Sequence, residues 1–159
     1  MYRYGYEDFL MDLQLRRNMK GGDYAEFNMA KHYRHWDDSS LFLKDEVFAT
    51  FFNCFNTASS KFNYYGATLY SGNGLEKLLS ELKNHLQMLK EVTNFASFSN
   101  MLTSYPMGVN FIRFVTSLDC DVQVEWRKLV NKLIEINEGL IEIVQDCLKN
   151  DQILWVLGI

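Results

Sequence analysis

A chain of 159 residues, 48% hydrophobic and 23% charged, is long enough to bury a core without disulfides or a structural metal, and reads as a single domain. Its net charge of −4 argues against a nucleic-acid partner, since such binders ordinarily present a basic surface. Twenty-four aromatic residues (12 Phe, 9 Tyr, 3 Trp) are a surplus, and one proline, Pro106, leaves room for long helices.

Tyr2, Tyr6, Phe9 and Leu13 lie at helical spacing and predict a first helix over about 4–19, broken by Gly21-Gly22. Asp23 stands three residues before Glu26 in the manner of a capping box, so a second helix is expected over about 24–36, burying Phe27, Ala30 and Tyr33. Leu43, Val47, Phe51 and Phe55 recur every four residues and predict a helix over about 41–65, with Asp45 and Glu46 in its first turns and Gly66 as its stop. The rival reading makes 62–70 a strand, because its aromatic and β-branched residues favour one. After the Ser71-Gly72-Asn73-Gly74 loop, Leu75, Leu78, Leu79, Leu82, Leu86, Leu89 and Val92 mark a clear helix. Phe95, Phe98, Met101 and Leu102 continue a helical spacing up to Pro106, and 109–118 reads as a short buried helix.

The last helix organises the rest. Trp126, Leu129, Leu133, Ile136, Leu140, Ile143 and Cys147 follow one another at steps of three and four. A second apolar row widens that stripe beyond a two-helix seam, so several neighbours are expected around it. Asp119 or Asp121 is placed to cap it. The sum is an all-α fold: an irregular bundle of six or seven helices packed around a long C-terminal helix at about 121–149, forming one helical domain over 1–159. The apolar tail Ile153–Ile159 is expected to dock on its own chain, because left in water it would aggregate; the alternative is insertion into a partner or a sister chain.

Catalytic signatures are scarce. His32 and His35 are three apart and Glu81 and His85 four apart, so the three histidines are the candidates for a mixed metal site. Neither H-E-x-x-H nor the Glu-x-x-His of di-iron bundles occurs, and no metal or cofactor is expected. Cys54, Cys120 and Cys147 are odd in number with no C-x-x-C spacing, and read as reduced and structural. No G-x-S-x-G, phosphate loop or dinucleotide fingerprint is present. Arg16, Arg17 and Lys20 form the densest basic group, which a helix end explains. The longest uncharged run, 92–112, contains Asn94, Asn100, Pro106, Gly108 and Asn110 and is a poor membrane span. With no apolar leader at the start, the cytoplasm is the expected compartment and no membrane partner is expected.

The long helix carries one charge feature that stands out. Glu135, Glu138, Glu142 and Asp146 follow each other at steps of three and four, an acidic ridge opposite the apolar stripe. Such a ridge suits a basic protein partner, for which complementary charge raises association rate and specificity. The functional expectation is therefore a non-enzymatic protein-binding domain, in its most concrete form a small acidic inhibitor of the immunity type that neutralises a basic partner such as a nuclease toxin. The alternatives are a metal-dependent enzyme built on His32, His35 and His85, and a helical scaffold or dimerisation domain.

Overall fold

The structure, a computed structural model, describes residues 1–19, 23–29 and 38–158. It is a mixed α/β fold, and this corrects the expectation of an all-α bundle. A four-stranded antiparallel sheet runs in the order β2-β1-β4-β3, built from β1 (Tyr24–Asn28), β2 (Leu41–Lys44), β3 (Ala67–Tyr70) and β4 (Leu154–Leu157). The helices are α1 (Tyr6–Asp12), α2 (Asp45–Phe48), α3 (Phe52–Ala58), α4 (Asn73–Glu91), α5 (Phe95–Thr103), α6 (Val109–Ser117) and α7 (Val122–Lys149), with one 3₁₀ turn, Ala49–Phe51, joining α2 to α3.

Three helix expectations fail, each for a local reason. The first helix ends at Asp12, and Arg16 instead bridges Phe42, exchanging backbone hydrogen bonds of 2.9 and 2.7 Å that cover the outer edge of β2. The helix expected over 24–36 begins as β1; the rest of that stretch, 30–36, lies outside the described residues. Its apparent capping box is a strand instead. Ala25 and Phe27 enter the core, while Glu26 is buried on the other face, where Ser40 Oγ donates to its Oε2 at 2.7 Å. The helix expected over 41–65 is a strand, a kinked helical segment and a turn, and α3 stops at Ala58 well before Gly66. The rival strand reading of 62–70 is right for Ala67–Tyr70.

The C-terminal helices follow the sequence closely. α7 spans Val122–Lys149, capped by the Asp121 side chain, which accepts from Gln123 N at 3.1 Å. α4, α5 and α6 also lie where the apolar periodicity places them. α7 packs along α4, α4 against α3, and α5 and α6 close the far end. Where α4 meets α7, fully buried Asn137 donates its amide to Leu82 O at 2.9 Å and accepts from Leu86 N at 3.1 Å. A buried amide in an apolar seam is tolerated because both of its polar ends are satisfied.

The tail docks on its own chain, as a central strand. β4 lies between β1 and β3, with Phe27 opposite Val156 and Tyr70 opposite Leu154. Beneath it sits an aromatic cluster: Phe27, Phe48 and Phe55 hold ring centroids 5.2–5.9 Å apart, and Tyr70 OH donates to Phe55 O at 2.7 Å. Gly158 passes so close to Tyr64 that a Cβ there would lie 1.6 Å from the Tyr64 carbonyl oxygen.

Candidate functional site

α7 turns one face fully to solvent. Glu135, Glu138, Glu142 and Asp146 are all exposed and share that face because their spacing keeps to the helical period. Among the described residues none of the four has an ion-pair partner. Glu135–Glu138, Glu138–Glu142 and Glu142–Asp146 are like-charge neighbours at i,i+3 or i,i+4, each costing the helix ~0.2–0.5 kcal/mol. The N-terminal half of the same face is basic, with Arg127, Lys128 and Lys132, and only Lys128 is paired, to Glu125 at 3.5 Å. The terminal turns themselves carry the charges that a helix dipole favours, Glu125 in the first and Lys149 in the last, so the acidic ridge lies inboard of them.

The histidine candidates do not assemble into a described site. His32 and His35 lie outside the described residues. His85 is 3% exposed in α4, with its ring 5.0 Å from Phe51 and 6.2 Å from Tyr105. Burial pushes its pKa down to about 4, so it is neutral at pH 7. Its Nε2 has no hydrogen-bond partner. Among the described residues no group of three His, Cys, Asp or Glu is disposed to hold a metal ion.

The thiols are not activated. Burial raises the Cys54 pKa far above its ordinary value and pushes that of Cys147 up to about 11; Cys120 is raised as well. A nucleophilic cysteine needs the opposite shift. The basic group near the N-terminus is internally engaged: Arg16 pairs with Asp12 at 2.5 Å and Arg17 donates to Ser39 O at 3.2 Å. Lys20 lies outside the described residues.

The sequence reading missed one site. A cleft of about 340 Å³ opens between α2 and α6, lined by Asp45, Glu46, Ala49, Tyr64, Asn110, Arg113 and Phe114. Tyr64 OH donates to Asp45 Oδ1. Burial raises the Asp45 pKa, and the Tyr64 hydrogen bond and the Lys44 charge offset that only in part. Beside it, Lys44 Nζ stands 5.3 Å from the ring centroids of Tyr4 and Phe114, 5.9 Å from that of Tyr24 and 3.6 Å from Glu46 Oε2. In the sequence, Asp45 and Glu46 look like ordinary first-turn acids. Nothing in the spacing of residues 109–118 announces that Asn110 and Arg113 will face them.

The chain matches no protein-family model, no curated protein and no solved structure. No helix among the described residues is long and apolar enough to cross a membrane.

Proposed function

We propose that this protein is a non-enzymatic, cytoplasmic binding domain whose α7 ridge, Glu135, Glu138, Glu142 and Asp146, docks a basic protein, in the manner of an inhibitor that neutralises a cationic enzyme such as a nuclease toxin. The observation that carries the reading is energetic. Three like-charge contacts along one exposed helix face cost roughly 1 kcal/mol in all; Lys132 and Lys149, three residues beyond either end of the ridge, offset part of that, but no described cation lies within ion-pair distance of the four carboxylates. Folding alone does not favour that arrangement; a cationic partner does, because it converts each repulsive carboxylate into an attractive one. The ridge also rides on a helix packed along α4, so its backbone is ordered before binding and only its side chains lose freedom on docking.

The non-enzymatic part of the proposal rests on the state of the reactive groups. The thiols are held protonated, and His85 is enclosed with its pKa pushed down to about 4, far from the neutral range that acid–base catalysis uses. The test is affinity capture with the full chain at low and at high salt. A basic protein retained at low salt and released as screening rises supports the proposal. Capture that returns no basic protein, or one held equally well at high salt, refutes it.

A further inference from the structure

In the α2–α6 cleft Asp45 and Arg113 carry opposite charges that do not meet, while Glu46 is paired with Lys44 at 3.6 Å. Asp45 and Glu46 contribute from α2, Asn110 and Arg113 from α6, and Ala49 and Phe114 supply apolar surface between them. Arg113 is exposed and has no ion-pair or hydrogen-bond partner among the described residues. Asp45 has a hydrogen-bond donor in Tyr64 but no cation within ion-pair distance. A simple cation in this cleft would be repelled by Arg113, and a simple anion by the two carboxylates. A molecule carrying both charges satisfies both sides. The volume of about 340 Å³ equals roughly ten waters at about 30 Å³ each, which accommodates a small molecule of about ten heavy atoms.

We propose that the cleft binds a small zwitterion of the free α-amino acid class, its ammonium held by Asp45 beside the Lys44-paired Glu46, its carboxylate by Arg113 and Asn110, and its side chain against Phe114. Both ends form charge-assisted hydrogen bonds, the strong kind, and Arg113 can grip a carboxylate in bidentate fashion. The site is separate from the α7 ridge and does not depend on it.

The probes are glycine, L-leucine and L-phenylalanine, each compared with its N-acetyl and its amide derivative, followed by saturation-transfer NMR on the full chain. Each free amino acid, or at the least the two with apolar side chains, is expected to bind at about 10 mM or below, with both capped forms about tenfold to a hundredfold weaker. Arg113→Gln, at an exposed position, should reduce binding of the free form by a similar factor and erase its preference over the amide. Asp45→Asn should erase its preference over the N-acetyl form. If Asp45→Asn disturbs folding through Tyr64, Arg113→Gln decides alone. No signal from any free amino acid, or capped forms that bind as well as the free ones, overturns the proposal. Because the readout is the small molecule's own signal, that failure leaves the ridge reading standing.

Discussion

Asn137→Asp makes the α4–α7 seam a pH-dependent joint. The side chain is fully buried, with Leu82 O and Leu86 N at 2.9 and 3.1 Å. A protonated aspartic acid is nearly isosteric with asparagine: its O–H can donate to Leu82 O and its carbonyl can accept from Leu86 N. An ionised carboxylate keeps the second contact but turns a lone pair towards Leu82 O, in a site that water does not reach. Both effects raise the folded-state pKa above the unfolded value of about 3.9. The folded variant therefore holds a proton that the unfolded chain releases. Its stability relative to wild type is close to full near about pH 4 and falls by up to about 1.4 kcal/mol per pH unit above that, until the folded pKa is passed. Fully buried carboxyls rise by about 3–5 units, so the loss reaches about 4–7 kcal/mol, much of a typical total of about 5–15. Urea denaturation followed by far-UV circular dichroism across about pH 4 to 8 reads this directly. Asn137→Leu is the control. Leu82 O and Leu86 N stand four residues apart and can bond each other as a regular helix pair, so its loss should be about 1 kcal/mol and flat with pH. An Asn137→Asp loss that does not change with pH refutes the assignment of the seam.

Other expectations follow from the same packing. His85, with its pKa pushed down to about 4 by burial, makes the wild-type chain lose stability as pH falls from about 6.5 towards 4, on the order of 3 kcal/mol in all; His85→Phe should remove that acid slope in paired denaturation curves. Gly158→Ala drives a methyl into the Tyr64 backbone and should cost at least about 3 kcal/mol, seen as a lowered Tm. Truncation after Gln152 removes the strand between β1 and β3 and should leave an aggregating or unfolded chain by light scattering; a monomer with an unchanged Tm contradicts the sheet order.

How much the sequence disclosed depends on where the apolar spacing had one cause. On α4 and α7 every inward position belongs to one uninterrupted helix, so the three-and-four rhythm gave both elements nearly to the residue. In 41–58 the same rhythm misled. Leu43 faces the core from β2, and Val47, Phe51 and Phe55 face it from α2, the 3₁₀ turn and α3, so a spacing of four runs across a strand–helix junction. β1 hid for a different reason. A central strand buried on both faces shows no clean alternation, and its Glu26 imitates a capping residue while lying buried beside Ser40. β4 was read as a docked tail, but its role as a strand needs the pairing of residues more than 80 positions apart in sequence, such as Tyr70 with Leu154. The α7 ridge was legible because it is local to one helix. The α2–α6 cleft was not, because its two sides meet only through tertiary packing.

The four ridge carboxylates are tested most directly by one comparison. The variant Glu135→Gln, Glu138→Gln, Glu142→Gln, Asp146→Asn removes the like-charge contacts while keeping side-chain size. Its unfolding free energy should stay level or rise by about 1 kcal/mol, while low-salt capture of a basic partner is lost. Lower stability with capture intact would show that the four carboxylates serve the fold and not a partner.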